Sequence, residues 1–404
     1  MSTDLTPRRR LVGVSALSLA HLTNDSYAYL LPALLPLLLG KLGLTLGLAG
    51  LLVTIYQASS SFTQPVLGHL ADGHRDTRWM AWTGLALSGL AAGAIGLAPS
   101  FETLALVLLA GGVGTALFHP ISAALVAQAA PAATRGRWMS IYISSGNFGL
   151  PVGPLLLGIV LATLGLEGTW VVAVPALVVA ALVWRAAPRR TTPVGHIPLP
   201  LRAVVQANAR LLAGLVSVAG TRSWAATVAG SLLPLYAVSR GASVEDSARL
   251  LTGYLLAGAI GGLLGGSLAD RVGRDRVIIA SLTSAVPCLL VLALQAAVGA
   301  PFIVAAIGAG LFLNGSFVVL TVRGQESMPK SMGMISGVMN GLSVGLGGLA
   351  VAPMAALAER TGIPTVLAIS AALALLCAFL VTRLPRLPQR GPVHATEAIA
   401  VGAE

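Results

Sequence analysis

Apolar residues in this chain come in long stretches separated by short polar segments, and no stretch alternates with the period of two expected of a half-buried strand. Twelve stretches can be drawn: at about 11–39, 46–69, 79–98, 103–129, 137–164 and 167–187, then 210–237, 247–268, 277–297, 301–325, 331–358 and 364–383. These lengths suit a hydrocarbon core of ~30 Å, which about 20 helical residues cross. Lipid offers no partner for an open backbone, so each stretch is predicted to be a helix. The expected fold is an all-α membrane protein of twelve transmembrane helices in two pseudo-symmetric six-helix bundles.

The division into halves rests on a repeat. Gly68-x-Leu70-Ala71-Asp72 closes span 2, and Gly266-x-Leu268-Ala269-Asp270 closes span 8, 198 residues later in a chain of 404. That offset is close to half the length, as a duplication predicts. Between the halves, Pro188, Pro193, Pro198 and Pro200 interrupt the apolar pattern. The predicted units are residues 1–187, a cytoplasmic linker at 188–209, and residues 210–404 with a short cytoplasmic tail. Gly333, Gly337, Gly341 and Gly345 in span 11, and Gly258, Gly262 and Gly266 in span 8, recur at a spacing that lets helices approach closely in lipid. No strand precedes them, so they are not a nucleotide-binding loop.

Charge orients the helices and narrows the class. If the spans alternate from a cytoplasmic N-terminus, 19 of the 25 Lys and Arg fall on the cytoplasmic side and four outside. This bias predicts both termini in the cytoplasm. The run Arg8-Arg9-Arg10 resembles the start of a signal peptide, but the apolar stretch after it is too long and no small-residue cleavage site follows. It is read as the first span. Only 10% of residues are charged and 56% are apolar, against about 25% charged in a soluble domain. Lipid must therefore be part of the solvent. The net charge of +11 does not indicate a nucleic-acid binder, because the basic residues sit between spans without stacking aromatics. Cys288 and Cys377 lie within spans as small filler, with neither a disulfide framework nor zinc-ligand spacing.

Charge inside a span costs roughly 2.5–3.5 kcal/mol at its centre, so intramembrane ionisable groups are functional candidates. They are His21 and Asp25 in span 1, His119 in span 4, Arg222 in span 7, and Arg323 and Glu326 in span 10. His21 and Asp25 are four apart and share a helical face. At ~1.5 Å per residue, Asp25 lies about 21 Å into its span and Arg222 about 18 Å into its own. Burial disfavours a carboxylate and a nearby cation favours it. Asp25 is therefore expected to carry a coupling proton with His21 as neighbour, switched by Arg222 or an anionic substrate. The alternative is a static Asp25–His21 or Asp25–Arg222 pair that staples the halves. Arg222 is a candidate anion ligand, since a guanidinium grips phosphonate or carboxylate through two donors, or else only a partner for Asp25. His119 precedes Pro120, whose effect on the helix is expected to free carbonyls for a polar pocket. Arg323 and Glu326, three apart, read as a gating or loop-anchoring pair. Asn24, Gln57, Gln64, Asn147, Asn314 and Asn340 are uncharged cavity or interhelix candidates. The expected substrate ligands are Arg222, Asn24, His119, Asn147 and Gln57.

With these residues in view, the chain resembles the major facilitator superfamily. The Gly-x-Leu-Ala-Asp segments look like its loop motif, and Gly149-x-x-x-Gly153-Pro154-x-x-x-Gly158 resembles its antiporter motif. His21-Leu22-x-Asn24-Asp25, Gln64-Pro65-Val66-x-Gly68, Phe118-His119-Pro120-x-Ser122, Gly146-Asn147-Phe148-Gly149, Gln325-Glu326-x-x-Pro329 and Gly333-Met334-x-Ser336-Gly337 resemble one branch, the fosmidomycin-resistance transporters. The first loop keeps little of its motif beyond Gly68, Leu70 and Asp72, whereas Asp270-Arg271-Val272-Gly273-Arg274 is close to it. The resemblance implies spans 1, 4, 7 and 10 around a central cavity, and Asp72, Arg78, Asp270, Arg271, Arg274, Gly153 and Pro154 as conformational elements. It implies proton-driven export of a small, polar or anionic drug by alternating access. The expected setting is a monomer in the cytoplasmic (inner) membrane of a bacterium, without cofactor, metal or nucleic acid. Proton-linked import of an anionic metabolite, and a non-transporting membrane sensor, are the alternatives. An enzyme would need a nucleophile beside His21 and Asp25, and none is there.

Overall fold

A computed structural model of the chain describes residues 7–72, 76–131, 134–187, 206, 208–328, 335 and 338–385. Nearly all of the predicted linker, Arg75, Lys330, Gly333, Gly337 and Arg386 lie outside them, as do the side chains of Asp72 and Asn340. Among the described residues every regular element is helical. The first half runs α1 (Pro7–Ser26), α2 (Leu30–Leu42), α3 (Leu46–Phe62), α4 (Gln64–Asp72), α5 (Arg78–Ala94), α6 (Phe101–Ala129), α7 (Arg135–Leu164) and α8 (Ala173–Ala186). The second runs α9 (Ala209–Ser239), α10 (Val244–Val272), α11 (Arg274–Leu294), α12 (Ala300–Ser327), α13 (Ser343–Leu349), α14 (Val351–Thr361) and α15 (Ile363–Thr382).

Nine helices among these residues are long and apolar enough to cross a membrane. The other three predicted spans are present but divided: span 1 into α1 and α2, span 2 into α3 and α4, and span 11 into a π turn at Val338–Leu342, α13 and α14. Proline explains where the chain restarts. Pro32, Pro65 and Pro353 each sit in the first turn of α2, α4 and α14, where a missing N–H costs no intrahelical bond. Continuous helices there would lose that bond and clash with the preceding turn.

Large apolar side chains stand exposed around the outside, among them Leu106, Val178, Leu264 and Val304. So much exposed apolar surface belongs against acyl chains. The halves meet at the end of the bundle where α3 begins and α14 finishes. α3 packs on α14 there, with Gly47 N donating to Glu359 Oε2 (3.1 Å). Thr54 Oγ1 donates to Gly348 O (2.8 Å) and accepts from Ala352 N (3.2 Å). Gly348 has no side chain because that of Gln57 fills the space, which places Gln57 in the seam between the halves.

Candidate functional site

α1 ends where the site begins. Tyr27 N and Ala28 N donate to Asn24 O and Asp25 O (3.2 and 3.1 Å), tight turns that close the helix one residue after Asp25. Residues 27–29 then carry the chain into α2. Asp25 thus stands at a helix end near the middle of the span.

Its two carboxylate oxygens face different imidazoles. Oδ1 is 2.9 Å from His119 Nε2 and Oδ2 is 3.3 Å from His21 Nε2. Each ring is fixed from behind: His21 Nδ1 lies 2.8 Å from Tyr142 O, and His119 Nδ1 lies 3.1 Å from Thr115 O. A carbonyl only accepts, so both Nδ1 atoms must carry hydrogen. Both Nε2 atoms are then free to exchange a proton with Asp25. The cluster has two proton positions, and its charge is −1, 0 or +1 as they hold none, one or two. Tyr142 stacks on His21 (centroids 4.2 Å apart, 20° between planes) and its hydroxyl meets Ser122 Oγ at 2.6 Å. Asn24 Nδ2 donates to Asp25 Oδ1 (3.2 Å).

Glycine makes room for this arrangement. A Cβ on Gly146 would stand 2.5 Å from His21 Cε1 and 2.6 Å from Asp25 Oδ2. On Gly149 and Gly153 it would strike the carbonyls of Leu22 and Ser26. The three form one stripe of α7 on which α1 lies. Gly153 and the buried Pro154, expected as conformational elements, thus belong to the wall that holds Asp25. Asn147 follows Gly146 on α7 and is half-buried.

Arg222 belongs to a second site, and the expected Asp25–Arg222 pair does not form. Its Nε and Nη2 donate to Leu313 O (2.9 and 2.7 Å), and Nη2 also to Asn314 Oδ1 (3.2 Å). Its guanidinium lies 4.9 Å from the ring centre of Phe317. The ionisable groups acting on it are Tyr254, Tyr29 and Cys377. Among the described residues no carboxylate pairs with it. Asn314 Nδ2 is a buried donor that faces Tyr254. Tyr29, in the turn just beyond Asp25, packs on Gly230 of α9 and so reaches from the first half into this second site.

Of the remaining candidates, only the Arg323–Glu326 pair changes. Pro120 lies inside α6, which continues through it, and the His119 ring just before it turns back to Thr115 O (3.1 Å). Arg323 and Glu326 do not pair with each other. Arg323 donates to Asp275 Oδ1 (2.7 Å), Pro385 O (2.5 Å) and Ser327 Oγ, while Glu326 accepts from Arg274 (3.2 Å), which also binds Asp270 (2.6 Å). Three residues along a helix set two side chains on neighbouring bearings, and the start of α11 offers each a separate partner. Both pairs tie span 10 to the end of span 8 and the start of span 9, beside the exposed Arg271. At the corresponding place in the first half, Arg78 grips Asp76 (2.8 Å) and lies over Trp184 (5.5 Å).

The profile of the Major Facilitator Superfamily matches residues 17–352 and 215–402. The chain is similar to the fosmidomycin resistance protein of Escherichia coli (strain K12), 33% identical over 389 residues and 93% of each chain. It is also similar to the uncharacterized MFS-type transporter YfnC of Bacillus subtilis (strain 168), 32% identical over 373 residues and 88% of each. Two solved structures share its fold at low identity. One is a bacterial homolog of the human lysosomal transporter Spinster, inward-facing and occupied, with TM-score 0.75 and 16% identity over 94% of this chain and 98% of that one. The other is a variant of the nucleoside transporter NupG, with TM-score 0.77 and 13% identity over 93% and 100%.

Proposed function

The chain belongs to the major facilitator superfamily, and from that membership we propose that it is a proton-coupled exporter of small anionic or polar antibiotics, working by alternating access. It is a multi-pass membrane transporter and not an enzyme. The observation that carries the proton role is the double bridge at Asp25, one oxygen to His21 and one to His119, with both rings held by backbone carbonyls. Two defined proton positions on a carboxylate in mid-membrane make a loading site whose charge steps by one with each proton.

Arg222 supports the anionic substrate. A buried cation is ordinarily paired, and this one rests on a carbonyl, an amide and an aromatic face. An anion would complete it. Tyr29 gives the two sites a mechanical link: Asp25 and Tyr29 are four residues apart across the α1–α2 turn. A change of charge at Asp25 that moves this turn moves Tyr29 against α9. His119 and Asn24 serve the proton site in this reading, Gln57 serves the seam, and Asn147 lines the approach along α7.

The relative named for fosmidomycin resistance favours export over import. The protein would act as a monomer in the bacterial cytoplasmic membrane with both termini inside. Inward proton flow suffices as the drive: one charge crossing ~100 mV releases about 2.3 kcal/mol, a gradient of roughly 50-fold at ~1.4 kcal/mol per decade. The test is reconstitution into liposomes with an imposed pH gradient, screening fosmidomycin, other anionic antibiotics and hydrophobic cations. Movement of an anion that follows the gradient in the native protein and not in Asp25→Asn is expected. Equal rates and equal gradient dependence in the two would reject the proton site.

A further inference from the structure

We propose that the His21–Asp25–His119 cluster also binds a divalent transition-metal ion of the zinc class, in place of the protons it otherwise holds. This site shares residues with the proton site, but metal binding stands or fails independently of coupled transport.

The donor set comes first. Two imidazole Nε2 atoms and a carboxylate oxygen lie within 4.8 Å of one another, the one such group of three among the described residues. Two histidines and a carboxylate are the ligands that zinc and its neighbours take when one coordination position stays open. Magnesium and calcium want six or more oxygens, which this wall of imidazole, aromatic ring and glycine does not supply.

Orientation comes second. A metal-bound histidine ordinarily gives its other N–H to a carbonyl or carboxylate, which fixes the tautomer and aims the lone pair. Both rings already do so, His21 to Tyr142 O and His119 to Thr115 O. The lone pairs converge on one carboxylate without a metal present. Tetrahedral bonds of about 2.0–2.1 Å place ligand atoms roughly 3.3 Å apart. Asp25 Oδ2 and His21 Nε2 are at 3.3 Å, and Asp25 Oδ1 and His119 Nε2 at 2.9 Å. The widest separation, up to 4.8 Å, closes by swinging the half-buried His119 ring inward.

Room, charge and a further donor come third. Gly146 presents no side chain to the cluster. The charged groups acting on Asp25 are the two histidines, with Tyr56 and Tyr142 the other ionisable neighbours; among the described residues no lysine or arginine acts on it to repel a dication. Asn24 Oδ1 is buried without a hydrogen-bond partner beside the carboxylate that its Nδ2 touches. Turning that amide over exchanges N for O at 3.2 Å from Asp25 Oδ1, offering an oxygen as a fourth donor at the loss of one weak hydrogen bond.

The test uses the purified full chain in lipid nanodiscs, titrated with Zn2+ by calorimetry and with Co2+ by visible absorption. One equivalent of each is expected, the Co2+ complex showing the intense d–d bands of low coordination number, with millimolar Mg2+ failing to compete. His21→Gln and His119→Gln should each weaken binding by about 100-fold or more, and Asn24→Ala by roughly tenfold, in variants that keep the native elution volume. Asn24→Ala leaves all three principal ligands in place, so it reports even if a histidine variant does not fold. No saturable binding by the native chain, or one equivalent retained at native affinity in both histidine variants, would overturn the proposal. Gradient-driven transport abolished in Asp25→Asn, together with no Zn2+ binding to the native chain, would sink the metal site and leave the transporter reading intact.

Discussion

The clusters on spans 1, 4 and 5 and on spans 7 and 10 occupy related places in the two halves and are opposite in chemistry. In the first half a carboxylate is bracketed by two imidazoles, and each ring is held by a carbonyl. Every strong donor and acceptor there has a partner except Asn24 Oδ1, and the one quantity left to vary is the number of protons. In the second half a guanidinium rests on Leu313 O, Asn314 and Phe317, and no carboxylate among the described residues pairs with it. Under the proposed function, what varies there is the presence of an anion. The duplicated scaffold holds ionisable groups on equivalent helices, and under the proposed function chemistry divides the labour: one half would count protons and the other would recognise charge.

Removing the variable proton breaks the contrast most sharply. Asp25→Asn keeps the shape and hydrogen-bonding reach of the side chain but leaves no carboxylate for the imidazoles to share. Accumulation against a gradient should fall from about 50-fold to unity in proteoliposomes, while exchange of labelled for unlabelled substrate without a gradient continues. Loss of exchange as well would mean that Asp25 holds the fold or the substrate rather than the proton.

Arg222→Ala tests the other pole. A hydrogen bond to a charged group contributes about 1.5–3 kcal/mol, so affinity for an anionic substrate should drop roughly 30-fold, with gradient-driven movement of whatever still binds preserved. Arg222→Lys should recover only part of it, because an ammonium cannot reach Leu313 O through two donors as the guanidinium does. A substrate affinity unchanged in both variants would return Arg222 to a packing role.

The wall behind the proton site gives a smaller effect. Gly146→Ala puts a methyl group 2.5–2.6 Å from His21 and Asp25. Overpacking of this kind costs about 1–3 kcal/mol, and coupled transport should fall roughly tenfold. Gly158→Ala, on the same helix, meets nothing nearer than Ala248 Cβ at 3.8 Å and should be silent. Equal effects of the two changes, read by transport and by thermal unfolding, would show that the stripe at Gly146 is general packing.

How much of this was legible beforehand follows the range of the interaction. Hydropathy and a motif repeated 198 residues apart gave the spans and halves, since both are local patterns. His21 with Asp25 was readable because four residues make one helical turn. The bond from His119 to Asp25 joins residues 94 apart, and only the packing of α6 on α1 reveals it. Tyr142 was missed for the same reason, an ordinary aromatic whose carbonyl sets a tautomer. Gly146 stands in the sequence as part of the motif Gly146-Asn147-Phe148-Gly149, yet its reason, the absence of a Cβ beside two ionisable side chains, appears only when α7 is laid on α1. Arg323 and Glu326 misled by proximity in sequence: local spacing says which groups can meet, and the neighbouring helix decides which do. The division of span 1 had a signal in Pro32 that the apolar run concealed.

The smallest predicted effect lies between the two halves. Glu359 of α14 accepts from Gly47 N at the start of α3 (3.1 Å), so a carboxylate of one half caps a helix of the other, where the positive end of the helix dipole favours a negative charge. Thr45 already caps Leu48 N from within the first half, so loss of Glu359 leaves α3 formed and removes only the tie across the seam. Glu359→Gln keeps an oxygen acceptor and cancels the charge, at a cost of about 0.3–1 kcal/mol at a partly exposed helix end. The balance between open and closed at this end should therefore shift roughly two- to fivefold toward open. Cysteine introduced in place of Ala352, half-buried on the seam face of α14, reads that shift as faster labelling by a thiol reagent added on the side where α3 begins. Labelling unchanged in Glu359→Gln but raised in Thr54→Val, which removes the bonds to Gly348 O and Ala352 N, would move the latch from the charged cap to the neutral pair deeper in the seam.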